Sequence, residues 1–167
     1  MVQGKNKIIT ILALISIHLL PVNPQTIGFS ASSPWWTHFV YMFFHANWLH
    51  LIMNIWAFYF VCKNLSIGTL LSGYLCSVAF SFLIQSQTPT VGFSSVIFYL
   101  LGIIYARVRN WKNWLIMIVI FMLGFCRASI NGTLHLLCFL YPIMYFEIEK
   151  FKNDRKRITE RKQTKER

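Results

Sequence analysis

Six stretches of the chain are predominantly apolar: Ile8–Val22, Trp48–Cys62, Leu65–Ile84, Val91–Val108, Trp111–Cys126 and Ile130–Phe146. Each is close to the roughly 20 residues that carry a helix across a bilayer, so the pattern predicts six transmembrane helices. Several are shorter than that, which implies local bilayer thinning or snorkelling. The first run ends at Pro21 and Pro24. It has the basic start of a signal peptide, but its small-residue cleavage site is poor and five more runs follow, so it is expected to be retained. Between the first two runs lies a segment, 23–47, without Lys, Arg, Asp or Glu but with Trp35, Trp36, Phe39, Tyr41, Phe43 and Phe44. It is too apolar for a free aqueous loop and is expected in the interface, rings at headgroup depth. After Phe146 the pattern turns polar. The chain divides into a membrane domain, 1–146, and a basic tail, 147–167, expected to continue the last helix as a frayed end.

Charge sharpens this picture. Charged residues make up 13% of the 167 and aromatic residues 17%. That excludes a disordered chain and counts against a soluble globule. All five acids lie in the tail: Glu147, Glu149, Asp154, Glu160 and Glu166. A lipid-solvated domain avoids such charges, since one at mid-bilayer costs about 2.5–3.5 kcal/mol or more. Nine of the sixteen basic residues also lie between Lys150 and Arg167, so the net charge of +11 describes a solvated tail and not a nucleic-acid surface. With the N-terminus inside, Lys5, Lys7, Lys63, Arg107, Arg109, Lys112 and the tail all fall on one side, leaving only Arg127 outside. That bias requires an even number of spans and puts both termini of a multi-pass cell-membrane protein in the cytoplasm. Cys62, Cys76, Cys126 and Cys138 share no metal-ligand or CxxC spacing and are expected as reduced, buried side chains, with no metal or cofactor implied.

Backbone groups in a span are satisfied by the helix, so His and Asn there need a separate reason. His50 and Asn54, four apart, share one face of the second helix, with His45 just before it. Their plain alternative is a polar pair that glues helices together. Gly92-Phe93-Ser94-Ser95 opens the fourth helix after the turn-forming Gln87-Thr88-Pro89-Thr90. A serine at a helix start is usually an N-cap. The free N–H groups there can also bind an oxyanion if Ser94 attacks a carbonyl. His135 lies about a turn inside the sixth helix, after Asn131 and Gly132. It is either a buried neutral imidazole bonded to a neighbour or a general base for Ser94.

Six spans put the starts of helices two, four and six at the same membrane face. A nucleophile, a base and oxyanion donors could therefore converge just below it. With no acid outside the tail, an aspartyl dyad, a His-Glu zinc site and a Ser–His–Asp triad are all excluded. A Ser–His dyad survives, its imidazole held by aromatic packing or another hydrogen bond.

The run His45-x4-His50-x3-Asn54, Gly92-x-Ser94 and the helix-six histidine together resemble the rhomboid intramembrane serine proteases, over roughly residues 8–146. The resemblance implies an all-α, six-helix membrane bundle with an interfacial first loop. It implies proteolysis of transmembrane protein substrates in the bilayer, with Ser94 as nucleophile and His135 as base. His50, Asn54 and the backbone at Phe93 and Ser94 would support the oxyanion. His45 would be structural, Phe98 would pack on His135, Gly92 would form the turn, and Gly102 would let helices four and six approach closely. There are departures. Ser95 replaces the family glycine and adds a hydroxyl beside the nucleophile. Thr37 stands where the family's Arg would follow Trp36, and the family's Glu near the end of helix two is absent. Leu136, Leu137 and Cys138 replace small residues, which is expected to push helices four and six apart and lengthen the Ser94–His135 distance. One rival is an inactive rhomboid-like protein that binds transmembrane helices without cleaving them. Another is a transporter or haem protein using His45, His50 and His135.

Overall fold

The computed structural model describes residues 2–62, 66–84, 86–108, 110–125 and 130–165. Lys63, Arg109, Cys126 and Arg127, used in the charge and cysteine arguments, lie outside them. Among the described residues, eight helices follow in order: α1 (Val2–His18), α2 (Pro24–Ile27), α3 (Thr37–Val40), α4 (Trp48–Val61), α5 (Ile67–Leu83), α6 (Ser94–Arg107), α7 (Trp111–Phe125) and α8 (Gly132–Lys165). A one-turn 3-10 helix, Tyr41–Phe43, continues α3. Among the described residues there is no strand, only a bridge that pairs Phe29 with Thr90.

Each apolar run is a helix, though the limits differ. The first begins at Val2 and ends at His18, short of Pro21, because the polar residues before Ile8 are no obstacle to helix formation. Asn47 caps α4 by accepting the His50 N–H at 2.9 Å, and Asn131 caps α8 by accepting the Leu134 N–H at 3.0 Å. α8 runs unbroken for 34 residues, so the tail is an extension of the last helix across the expected 146/147 boundary.

Among the described residues no helix is long and apolar enough to cross a membrane. α1 and α5 have 17 residues each, α7 has 15, and α4 and α6 have 14. At about 1.5 Å per residue these lengths fall short of a hydrocarbon core of roughly 30 Å.

The distribution of polarity is inverted relative to a water-soluble fold. Thr37, His38, His45, Asn54, Ser77, Ser81, Ser95 and His135 are buried. Ile52, Met53, Trp56, Leu115, Ile116 and Val119 are exposed on α4 and α7. Exposed apolar side chains in such number are accommodated by an apolar covering phase.

α6 is the centre of the assembly and packs against α4, α5 and α8. Glycines set two of the close approaches. A Cβ on Gly73 would meet the Tyr99 and Val96 side chains at 3.0 and 3.2 Å. A Cβ on Gly102 would collide with the Phe139 carbonyl oxygen and lie 2.6 Å from the Pro142 ring. The α6–α8 seam is therefore closed to backbone contact.

The first loop departs from expectation. Its rings do not all lie outside: Phe29 and Tyr41 are fully buried, while Trp35 and Trp36 are exposed. The buried rings stack edge to face at 4.7 Å, and reciprocal Phe29–Thr90 backbone bonds tie the loop to the turn before α6. Thr37 is buried and bonds Pro34 O and Ser33, a local turn cap.

His38 lies between the Phe29 and Phe82 rings, and its Nδ1–H donates to Ser81 Oγ at 2.9 Å. The Ser81 proton is already given to Val78 O. Burial lowers the His38 pKa below 6.5. Burial also lowers that of His45, to about 3, with His50 and His18 adding to the effect. As the pH falls, the unfolded chain binds these protons first, so stability is intact above about 6.5 and declines below it. The melting midpoint in detergent is expected to drop between about pH 7 and pH 5. His38→Phe should make that drop shallower.

Candidate active site

The start of α6 is shaped by Gly92, whose φ of +117° is a left-handed conformation that disfavours a side chain. A Cβ there would also strike the His50 ring, 2.6 Å from Cε1 and 2.7 Å from Nε2. The missing side chain therefore admits the His50 imidazole against the turn. Phe93 occupies the cap position of α6 and makes no side-chain cap bond. Ser94 is thus the first helical residue and not an N-cap. Its hydroxyl is free for another partner.

That partner is His135. Ser94 Oγ and His135 Nε2 are 2.8 Å apart, across the α6–α8 seam. Ser94 is half-buried and His135 is buried, 9% exposed. Phe98, one turn after Ser94, stacks on the imidazole at 4.5 Å and 17°, and Phe121 supports Phe98 at 5.3 Å. The ring is held by aromatic packing, which suits a dyad without an orienting acid.

The expected lengthening by Leu136, Leu137 and Cys138 does not occur, for the Ser94–His135 contact is 2.8 Å. On a helix, His135, Cys138, Phe139 and Pro142 share the face toward α6, while positions 136 and 137 point away. Leu136 packs into the separate cluster of Tyr105, Met117, Phe121 and Phe139.

Asn54 is buried and its amide donates to the His50 carbonyl at 2.8 Å. An amide nitrogen carries two protons, so a second remains. The N–H groups of Ser94 and Ser95, in the first turn, have no acceptor within the helix. His45 is fully buried, and its Nε2 accepts the Phe93 N–H at 3.4 Å. Its ring lies 5.2 Å from that of His50. His45, His50, Asn54, Gly92, Phe93, Ser94, Phe98 and His135 thus form one continuous set around the α6 N-terminus. Gly102 lies two turns further along the same helix.

Among the described residues, no group of three or more His, Cys, Asp or Glu is arranged to hold a metal ion. Cys62, Cys76 and Cys138 carry free thiols.

The spacing of residues gave no sign of Tyr41, Ser77 and Ser95 as a unit. Tyr41 Oη lies 3.1 Å from Ser95 Oγ and donates to Ser77 O at 3.3 Å. All three residues are buried. The Ser95 hydroxyl therefore turns away from the nucleophile.

The Rhomboid domain family model matches residues 32–148. The chain belongs to the rhomboid family. Members of that family are in general intramembrane serine proteases, so this is a membrane protein. No curated protein and no solved structure matches the chain.

Proposed function

We propose that this protein is a serine endopeptidase that cuts peptide bonds in or near the transmembrane segments of other membrane proteins. The observation that carries the reading is the 2.8 Å contact between Ser94 Oγ and His135 Nε2. His135 accepts the Ser94 proton as the hydroxyl attacks the scissile carbonyl. The negative charge that develops on the carbonyl oxygen is received by the free N–H groups at the start of α6, by the second amide proton of Asn54 and by His50. His135 then returns its proton to the leaving amine. Water then reaches the half-buried Ser94 and attacks the acyl-enzyme, with His135 as base, which releases the acid product and restores the Ser94 hydroxyl. Only water is required as co-reactant.

The proposed topology is six membrane-crossing segments, α1 and α4–α8, with both termini in the cytoplasm and the dyad near the outer face. The segments are short, so the bilayer thins around them, at a cost of fractions of a kcal/mol per ångström of mismatch. The basic extension of α8 lies inside, where positive charge is retained.

Reconstituted protein should cleave a single-span model substrate in liposomes, and Ser94→Ala should not. No cleavage by folded wild type of any of a panel of such substrates, with substrate helices still bound, would instead establish a non-cleaving helix-binding protein. Asn54→Ala should lower turnover by roughly 10²-fold with little change in substrate binding, because its bond forms with the developing oxyanion. Its helix keeps the Asn47 cap, and the amide removed bonds only the His50 carbonyl of that same helix. Unchanged turnover would remove Asn54 from the oxyanion site.

A further inference from the structure

The dyad explains what Ser94 bonds to, but not what holds the turn that presents it. The first loop holds that turn at three of the four residues around the nucleophile. The Gly92 N–H donates to the Tyr41 carbonyl at 3.1 Å. The Phe93 N–H donates to His45 Nε2 at 3.4 Å. The Ser95 hydroxyl meets the Tyr41 hydroxyl at 3.1 Å. Tyr41 therefore grips the chain on both sides of Ser94, once with its backbone and once with its side chain.

The protons account for themselves in one direction. The Tyr41 hydroxyl donates its single proton to the Ser77 carbonyl of α5 at 3.3 Å. Its oxygen is then the acceptor for the Ser95 proton. The chain Ser95 to Tyr41 to Ser77 joins α6, the first loop and α5 with every hydroxyl proton used. Tyr41, Ser77 and Ser95 are 0%, 0% and 1% exposed, so no water competes. A glycine at position 95 could not take part, and Ser95 gives this chain a contact in place of a spare hydroxyl.

We propose that Tyr41 is a positioning residue for the nucleophile: by clamping Gly92 and Ser95 it fixes where the Ser94 hydroxyl and the neighbouring N–H groups point. The inference rests on the serine-protease reading of the site. Tyr41 touches neither substrate nor the reacting atoms, and its effect is on orientation. Misplacement of a reacting group by about 1 Å can cost as much as 10²-fold in rate.

The test is the rate of covalent labelling by a fluorophosphonate in detergent, together with kcat and KM on a cleaved substrate and the melting midpoint. Tyr41→Phe removes the hydroxyl and keeps the ring and the carbonyl. It should lower labelling rate and kcat about tenfold, with KM changed less than about twofold and the midpoint within a few degrees of wild type. Ser95→Ala breaks the same bond from the other side, and should reproduce the loss. The double variant should be no worse than the worse single, since both delete one interaction. Should Tyr41→Phe fail to fold, Ser95→Ala carries the test alone. Labelling of both folded variants at the wild-type rate would overturn the role of Tyr41 and leave the protease reading intact. A wild type that is folded yet never labelled would overturn that reading and this one with it.

Discussion

His135→Ala is expected to reduce substrate cleavage by about 10³- to 10⁴-fold, to near background, while leaving a folded helical bundle. The imidazole is the base within reach of Ser94 Oγ, at 2.8 Å, and the membrane region contains no carboxylate to replace it. The substitution also removes a ring stacked on Phe98 at 4.5 Å and leaves a cavity there. That loss costs about 2–5 kcal/mol, the range for a large-to-small change at a buried site. The two effects separate by measurement. Circular dichroism and the melting midpoint report the cavity, and cleavage reports the base. Substantial activity in a folded His135→Ala protein would mean that another group takes the Ser94 proton.

Gly102→Ala is expected to lower activity by roughly 10²-fold from two helical turns away. The new Cβ would collide with the Phe139 carbonyl oxygen, which is backbone and cannot yield, and with the Pro142 ring. The α6–α8 seam must open, and Ser94 and His135 stand on opposite sides of it. The cost in stability is smaller: overpacking removes about 1–3 kcal/mol, while replacing glycine in a helix returns about 1 kcal/mol. Gly73→Ala is the control. Its Cβ would meet only side-chain atoms of Tyr99 and Val96, on the α5–α6 side. It should perturb activity much less. Equal losses at the two positions would indicate a general packing defect in place of a specific widening of the dyad.

The parts of this molecule that could be read in the sequence are those governed by period and order. Apolar runs gave the helices because lipid or protein surroundings leave a helix as the economical backbone solution. The site was legible because His50, Asn54, Ser94 and His135 are chemically out of place in apolar runs, and alternating direction brings their helix ends together. Side-chain direction decided what was misjudged. Leu136 and Leu137 follow His135 in sequence but not on its helical face, and Leu136 packs beside Tyr105 and Met117 without parting Ser94 from His135. Tyr41 could not be picked out among the aromatic residues of the first loop, since that loop has no period to distinguish an inward ring from an outward one. Only the fold shows that Tyr41 is buried while Trp35 is 70% exposed. Ser95 looked like a competitor to the nucleophile because its partner lies 54 positions away.

Peptide mapping by mass spectrometry after fluorophosphonate treatment of the folded protein bears most directly on the central claim. The adduct should sit on Ser94, form quickly in wild type and be lost in His135→Ala. An adduct on Ser95, or equal labelling with and without His135, would contradict the pairing of Ser94 with His135 as the reacting centre.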